Sequence, residues 1–346
     1  MSGHTLRSVA DLSAAGLIAR TDEAALAAVA ERYTVTIPPA FAALIEPGNP
    51  ADPIGLQTVP DPAELHAVPG EQADPIGDAA HAPLRGLVHR YPDRVLLTPG
   101  FACAVYCRFC FRRERVGPGG GEQALSPEEL TAAFDYIRAR PNIREVILTG
   151  GDPLVLAPRR LAAILQTLDA IPSLGHLRIH SRVPMAAPER ITDELLAALH
   201  TTKALFIAIH ANHPREFTPA ARTALRRLAG AGIPLLSQSV LLRGVNDDGA
   251  VLAALMRCFV ENRVKPYYLH HLDAAPGTAR FKVSIAEGQA LVRALRGRVS
   301  GLCQPAYVLD IPGGHGKSPL ESGWISPDGA VIRDWQGRSH FTDVKG

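Results

Sequence analysis

Cys103, Cys107 and Cys110 fall within eight positions of one another in the segment TPGFACAVYCRFCFRRERVG. This CxxxCxxC pattern can hold three irons of a 4Fe-4S cluster and leave the fourth iron without a protein ligand. A structural zinc site needs four protein ligands, whereas Cys258 and Cys303 stand alone in the sequence. The spacing therefore favours an iron–sulfur cluster over zinc, and its open iron would be a site for chemistry.

A lysine on a glycine-rich segment is the second candidate for chemistry. Lys317 follows PGGHG near the end of the chain. The segment is not a phosphate-binding P-loop, because that motif needs Gly six residues before the lysine and Ile311 holds that position. A loop lysine can form a Schiff base with an aldehyde or ketone. Lys317 is therefore either a covalent anchor or a solvated lysine.

Glycines and carboxylates follow several β-rich runs. Gly150, Gly151 and Asp152 come after the second run, and Asp273 and Asp310 end the sixth and seventh. Two glycines let a ligand approach the backbone closely, although the tripeptide alone is also a turn signal. Two converging carboxylates could hold a distal ammonium group, whereas each aspartate alone would more often cap a turn or helix.

From Arg94 onward, short β-rich runs alternate with amphipathic helical segments. Ser126 with Glu129 and Ser284 with Glu287 predict capping boxes at two helix starts. The predicted strands are RVLLT (94–98), EVILT (145–149), HLRIHS (176–181), ALFIAIHA (204–211), PLLSQSVLL (234–242), KPYYLHHLD (265–273) and AYVLDI (306–311). Repeated βα units without a dinucleotide fingerprint predict an α/β fold, a partial or full TIM-type (β/α) barrel. The candidate residues would then share the C-terminal face of the barrel.

The pattern divides the chain into three regions. Residues 1–90 read as a mainly helical and irregular lead-in packed on the barrel, and residues 91–320 as the barrel itself. Residues 321–346 read as a short hairpin and tail that turns at Pro327-Asp328-Gly329. The sequence shows no internal repeat and no low-complexity segment.

Composition excludes several classes of protein. The 346 residues include 36 Lys+Arg and 34 Asp+Glu, which gives a formal charge of +2. This small net charge does not indicate electrostatic binding to nucleic acid or to an anionic membrane. No stretch approaches the roughly 20 apolar residues of a membrane helix, and the first residues lack the apolar core of a signal peptide. We expect a cytoplasmic protein, in which clustered cysteines bind metal rather than form disulfides.

The motifs in order resemble one family. HRYPDRV, CAVYCRFCFRR, TGGDPL, LRIHSRVP, HANHP, SQSVLLRGVND, YYLHHLD and YVLDIPGGHGKSPL are similar to segments of radical S-adenosylmethionine (SAM) enzymes of the lysine 2,3-aminomutase family. The similarity runs from about residue 35 to about residue 320. It implies a 4Fe-4S cluster, SAM and pyridoxal 5′-phosphate (PLP) as cofactors.

The resemblance also implies a role for each candidate residue. Cys103, Cys107 and Cys110 would bind the cluster, and Lys317 would form the Schiff base with PLP. Arg112 would pair with the substrate carboxylate, and Asp273 and Asp310 with its distal ammonium. The implied SAM-binding residues are Gly150, Gly151, Asp152, Ser181, Arg182 and His210, and the implied PLP-binding residues are Arg90, Arg94 and Gln238.

The implied activity is L-lysine 2,3-aminomutase, an isomerase that interconverts L-lysine and β-lysine by 1,2-amino migration. Reduced flavodoxin or ferredoxin would supply the electron that starts SAM cleavage. The same reaction also serves β-lysylation of translation elongation factor P in the short branch of the family. CAVYCRFCFRR and LRIHSR resemble that branch, whereas Asp310 and DIPGGHGK resemble the free-lysine branch. Loss of a β-lysyl group from elongation factor P on gene deletion would distinguish them.

Two further points stay open. A non-catalytic Fe-S electron-transfer protein on the same barrel is an alternative, which the presence of Lys317, Asp273 and Asp310 disfavours. The long free-lysine enzymes carry a cysteine-bearing C-terminal extension that links subunits through zinc. This sequence ends soon after the barrel, so the resemblance leaves the oligomeric state open.

Overall fold

The computed structural model describes residues 3–66, 68–117, 123–321, 323–326, 331–334 and 336–341. Nine strands form one sheet whose spatial order follows the chain. They are β1 (Leu87–Tyr91), β2 (Arg94–Leu97), β3 (Glu145–Leu148), β4 (His176–Ser181), β5 (Ala204–His210), β6 (Leu235–Val240), β7 (Val264–His270), β8 (Ala306–Ile311) and β9 (Gly316–Pro319).

The sheet is a nearly closed barrel. Strands β2 to β8 are parallel, and the edge strands β1 and β9 are antiparallel to their neighbours. The backbone N–H of Lys317 on β9 donates to the hydroxyl of Tyr91 on β1 at 2.8 Å, so a side chain links the two edges. The predicted (β/α) barrel is confirmed.

All seven predicted strands are present, with ends that differ by at most three residues from the prediction. Strands β1 and β9 were not predicted. Their sequences, LVHRY and GKSP, are short and lack an apolar run. They pair as antiparallel hairpin partners of β2 and β8, and this pairing defines them as strands.

Helices cover the outside of the barrel. Both predicted capping boxes are present, at Ser126 with Glu129 and at Ser284 with Glu287. The barrel helices are α5 (Pro127–Arg138), α6 (Pro158–Asp169), α7 (Val183–Ala186), α8 (Asp193–Ala198), α9 (Pro219–Gly230), α10 (Gly249–Glu261) and α11 (Ile285–Leu295). The lead-in contributes α1 (Val9–Ala14), α2 (Glu23–Arg32), α3 (Pro39–Ala42) and α4 (Gly55–Thr58).

Along each strand, alternate side chains pack in the hydrophobic core or line the interior of the barrel. On β4, Leu177 and Ile179 are fully buried in the main hydrophobic core. The alternate residues Arg178 and His180 line a cavity inside the barrel. Because successive strand side chains point to opposite faces, one strand both packs against the helices and supplies polar groups to the interior.

After the barrel, β10 (Val331–Arg333) and β11 (Ser339–Phe341) form an antiparallel hairpin. The turn predicted at Pro327-Asp328-Gly329 lies outside the described residues. In the described part of the chain, no helix has the length and apolar character to cross a membrane. The sheet begins at Leu87, and the three-region division stays a prediction.

Candidate active site

One cavity of about 570 Å³ lies inside the barrel and extends to the loops at the C-terminal ends of the strands, and its volume is within the range of small-molecule sites. All the candidate residues line it: Arg90, Arg94, Cys103, Cys107, Cys110, Arg112, Gly150, Gly151, Asp152, Ser181, Arg182, His210, Gln238, Asp273, Asp310 and Lys317. The structure thus brings together side chains that are up to 227 positions apart (317 − 90).

The three cysteines lie on the loop that follows β2. Burial raises the pKa of all three thiols, that of Cys110 to about 11. Arg182 Nη1 donates to Cys107 Sγ at 2.7 Å, which places a positive charge where a thiolate would form. Cys258 lies in α10, and Cys303 lies in a turn before β8. Neither is among the residues that line the cavity.

Three cysteines on one loop fit a 4Fe-4S cluster, because each thiolate would bind a different iron.

A buried ion network holds the cysteine loop against the lead-in, and sequence reasoning missed it. Glu64 is 1% exposed, and its carboxylate pairs with Arg108 at 2.5 Å and with Arg113. Arg280 Nη2 lies 3.6 Å from Glu64. The three guanidinium groups overcome the cost of burial and lower the pKa of Glu64. Arg108 lies between Cys107 and Cys110 in the sequence, so this network anchors the cysteine loop.

Gly150 and Gly151 permit close packing between two loops. Gly150 has φ +101°, and a Cβ there would overlap the side chain of Thr98. A Cβ at Gly151 would overlap the carbonyl oxygen of Ala102. The glycines therefore let the loop after β3 pack directly on the cysteine loop, and the close approach of a ligand to them stays a prediction.

The Asp152 carboxylate is already engaged by the protein. It accepts hydrogen bonds from the backbone N–H groups of Leu154 at 3.0 Å, Arg182 at 2.7 Å and Val183 at 3.1 Å. Ser181 also hydrogen-bonds to it, and Ser181 Oγ accepts from Val183 N–H at 3.0 Å. Asp152 and Ser181 therefore join the loops after β3 and β4, and the SAM contacts predicted for their side chains stay a prediction.

Arg182 is the centre of a second buried network. Besides contacting Cys107, it donates to Gln57 Oε1 at 2.7 Å and to Glu216 Oε2 at 3.1 Å. Gln57 and Glu216 are fully buried and were not identified from the sequence. The guanidinium group is therefore fixed from two sides and directed at the cysteine sulfur.

His210 lies beside the cluster loop in a neutral form. Its ring stacks on Phe109 with centroids 5.6 Å apart, and its Nε2 is 3.2 Å from Asn212 Nδ2. Burial, and then the charge of Arg182, holds its pKa well below the ordinary value. A neutral imidazole between an aromatic ring and the cavity can donate or accept a hydrogen bond without carrying charge.

Lys317 and Asp310 face each other across two paired strands. The β8–β9 register places their Cα atoms opposite one another. Lys317 Nζ contacts both carboxylate oxygens of Asp310, at 2.7 Å and 2.6 Å. Gly313 and Gly314, with φ +83° and +85°, form the turn that permits this hairpin. Lys317 therefore lies on a strand directly after the glycine-rich turn.

Two further groups complete the acidic end of the cavity. His270 Nδ1 lies 3.5 Å from Asp310 Oδ2, and burial lowers the pKa of His270. Lys317 and His270 outweigh burial and hold the pKa of Asp310 below its ordinary range. Burial, followed by the charge of Asp310, raises the pKa of Asp273 to about 7. One carboxylate is thus ionised and bound to an ammonium, and the second can ionise near neutral pH.

Arginines form an anion-binding side of the cavity that adjoins the acidic end, since Arg90 Nη1 lies 3.9 Å from Asp310 Oδ1. Arg90 and Arg112 both pair with the carboxylate of Asp78. Asp78 was not identified as a candidate residue from the sequence. Arg94 pairs with Asp93 at 2.7 Å and lies over the ring of Tyr91, 3.7 Å from its centroid. Five buried nitrogens of cavity-lining residues have no hydrogen-bond partner in the described structure: Arg90 Nε, Arg178 Nε, His180 Nε2, Arg182 Nε and His270 Nε2. Such unsatisfied groups fit a cavity built for polar ligands.

Residues 97–255 match the family model described as the Radical SAM superfamily. A relative from Acetoanaerobium sticklandii, named L-lysine 2,3-aminomutase, is 39% identical over 306 residues, which cover 88% of this chain and 73% of the relative. The chain belongs to the lysine 2,3-aminomutase family of radical SAM enzymes. Membership confirms the predicted isomerase class and the predicted radical SAM cofactors, a 4Fe-4S cluster and SAM, and the predicted PLP is consistent with it.

Within the lysine 2,3-aminomutase family, relatives differ in the substrate that their names give. The L-lysine 2,3-aminomutase of Escherichia coli K12 is 38% identical over 290 residues, which cover 84% of each chain. A relative from Clostridioides difficile, named glutamate 2,3-aminomutase, is 36% identical over 313 residues, which cover 90% of this chain and 74% of the relative. Sequence identity alone does not distinguish lysine from glutamate as the substrate. The side chains in the cavity are therefore the basis for the substrate assignment.

Proposed function

We propose that this protein is an L-lysine 2,3-aminomutase. The observation that carries the substrate assignment is the pair of carboxylates at one end of the cavity. Asp310 contacts an ammonium group, that of Lys317, through both oxygens, and Asp273 is close enough for its pKa to respond to Asp310. The distal ammonium of lysine matches this end in charge and in hydrogen-bond donors.

The same end disfavours glutamate. A distal carboxylate would face ionised Asp310 and would hold Asp273 in its protonated form. Like charges brought together in a partly buried site cost several kcal/mol, of the order that separates a substrate from a non-substrate. The arginine side of the cavity suits either amino acid, because both carry the α-carboxylate that Arg112 would bind.

Residues of this chain would hold each cofactor at a separate part of the cavity. Cys103, Cys107 and Cys110 would bind the cluster, and the loops after β3, β4 and β5 would surround SAM. Lys317 would be the covalent anchor of PLP, with Arg90, Arg94 and Gln238 around it. When bound, the cluster and SAM supply a 5′-deoxyadenosyl radical, and PLP supplies a ring that delocalises an unpaired electron.

The protein contributes positioning, charge and exclusion of water. Arg112 and the aspartate pair would hold lysine at both ends, so that its β-carbon has one orientation in the cavity. The Lys317 ammonium and the distal ammonium of the substrate would be alternative partners for the Asp310 carboxylate. Reduced flavodoxin or ferredoxin would donate the electron. β-Lysine then leaves with the atoms of lysine rearranged and no net oxidation.

The test is a product analysis on the anaerobically reconstituted enzyme. The protein with iron, sulfide and PLP receives SAM, dithionite and an equimolar mixture of lysine and glutamate, and mass spectrometry identifies the β-amino acids. We expect β-lysine and no β-glutamate, with no product from Lys317→Ala or Cys107→Ala. Formation of 5′-deoxyadenosine without β-lysine would contradict the lysine assignment and leave the radical SAM chemistry intact.

A further inference from the structure

Asp78 lies in an irregular segment of the lead-in and contacts two arginines to which the proposed function gives different ligands. Its Oδ1 accepts a hydrogen bond from Arg90 Nη2 at 2.8 Å. Its Oδ2 accepts from Arg112 Nη2 at 2.8 Å and from Arg112 Nε at 3.2 Å. Asp78 is 4% exposed. Although burial opposes its ionisation, Arg112 and Arg90 hold the pKa of Asp78 below its ordinary value.

The backbone around Asp78 is itself held in place. The side chain of Asp74 accepts a hydrogen bond from the Asp78 backbone N–H at 2.9 Å. Gly77 packs against the glycine-rich turn, since a Cβ at Gly77 would lie 2.5 Å from the nitrogen of Gly314. That turn leads directly to Lys317. The segment therefore touches both the arginine side of the cavity and the hairpin that carries the catalytic lysine.

The arginines keep donors for ligands while they bind Asp78. A guanidinium group has five N–H donors. Arg112 uses Nε and Nη2 for Asp78. Arg90 uses Nη2 for Asp78 and for the carbonyl oxygen of Ile76, whereas its Nη1 lies 3.9 Å from Asp310 Oδ1, beyond hydrogen-bond distance. A ligand anion at each arginine can therefore bind beside Asp78 and does not have to displace it.

We propose that Asp78 is a positioning residue that fixes the guanidinium of Arg90 relative to that of Arg112. It thereby fixes the PLP phosphate relative to the substrate carboxylate. This inference rests on the proposed function, which assigns those two anions to the two arginines. Asp78 does not touch the reacting atoms, and it acts by holding the two groups that bind the reactants.

Removal of the Asp78 charge has two opposite effects. It removes a negative charge that repels both ligand anions, which favours binding. It also releases two long side chains from their shared anchor, which disturbs the alignment of the bound reactants. Alignment affects the reaction step more than ground-state binding, and a displacement of about 1 Å can cost about 100-fold in rate. The variant should therefore separate kcat from KM.

The experiment compares Asp78→Asn and Asp78→Glu in the reconstituted holoenzyme. Asp193→Asn is the matched control, because Asp193 is an exposed aspartate that also pairs with an arginine, Arg227. For Asp78→Asn we expect kcat to fall by about 10-fold to 100-fold while KM for lysine stays the same or decreases. Asp78→Glu keeps the charge and should recover a large part of kcat, and Asp193→Asn should match the parent.

A second measurement does not depend on turnover. The visible circular dichroism of bound PLP reports how asymmetrically the protein holds it. We expect the amplitude per bound PLP to fall in Asp78→Asn and to recover in Asp78→Glu. Thermal unfolding, cluster content and PLP content are measured on the same samples, so that a loss of folded protein is recognised.

Either of two results would overturn the proposal. The first is a folded and fully loaded Asp78→Asn enzyme with the kcat and dichroism of the parent. The second is a loss that is equal in Asp78→Glu and follows lowered thermal stability, which would make Asp78 a structural residue. If the parent itself makes no β-lysine, the proposed function fails, and the dichroism series still decides whether Asp78 positions the cofactor.

Discussion

Asp273 is expected to give lysine use a pH dependence centred near neutrality. Burial is the main reason that its pKa rises to about 7, and the charge of Asp310 adds to it. An ionised carboxylate attracts the substrate ammonium, whereas a protonated one does not. The catalytic efficiency kcat/KM for lysine should therefore rise with pH and show an inflection near pH 7 that depends on Asp273.

The magnitude follows from the size of the shift. The pKa of about 7 lies well above the ordinary value of 3.8 because burial disfavours the ionised form. With a pKa of about 7, roughly a tenth of Asp273 is ionised at about pH 6 and roughly nine-tenths at about pH 8. We expect kcat/KM for lysine to rise about tenfold across this interval.

The assay is kcat/KM for lysine between about pH 6 and pH 8.5, in the parent and in Asp273→Asn, because this ratio reports ionisations of the free enzyme. The variant should be less efficient and should lack the inflection. The buried histidines His180, His210 and His270 do not account for it, since burial lowers the pKa of each. A flat parent profile, or an inflection that persists in Asp273→Asn, would refute the reasoning.

Three further predictions concern the cluster loop. Glu64→Gln leaves buried arginines without their charged partner and should lower the free energy of unfolding by roughly 3–5 kcal/mol. Thermal or denaturant unfolding measures this loss, and an unchanged unfolding midpoint would contradict the network. Gly151→Ala should disrupt packing on the cysteine loop and reduce the iron content of the protein. Gly230→Ala is the control, because nothing lies within 4 Å of its new Cβ, and it should keep the parent's iron content. Equal iron content in the two variants would refute the packing argument. Cys107→Ala should lose the electron paramagnetic resonance signal of the reduced cluster, and Cys258→Ala should keep it; the opposite result would place the cluster elsewhere.

The barrel could be predicted from the sequence because its signals are local. Apolar runs such as EVILT and capping boxes such as Ser126 with Glu129 report on neighbouring residues, and each βα unit repeats them. The candidate residues stand next to these runs. Once the strands are parallel and in chain order, their C-terminal ends meet on one face, which brings the residues into one cavity.

The supporting residues could not be predicted in this way. Asp78, Glu64 and Gln57 lie in irregular or short helical segments of the lead-in, and their arginine partners are from 12 to 216 positions away. A single carboxylate or amide in such a segment has no periodicity that marks it as buried. The strand β9 was missed for a related reason, since a Gly- and Pro-containing run becomes a strand only by pairing with β8.

The most direct test of the central claim follows the migrating nitrogen. Lysine labelled with ¹⁵N only at its α-amino group is converted by the reconstituted enzyme, and NMR identifies the carbon that carries the label. The proposed 1,2-amino migration predicts ¹⁵N on the β-carbon of the same lysine skeleton, with no product from Lys317→Ala. Recovery of lysine with the label still on the α-carbon, or release of the label to solvent, would contradict it.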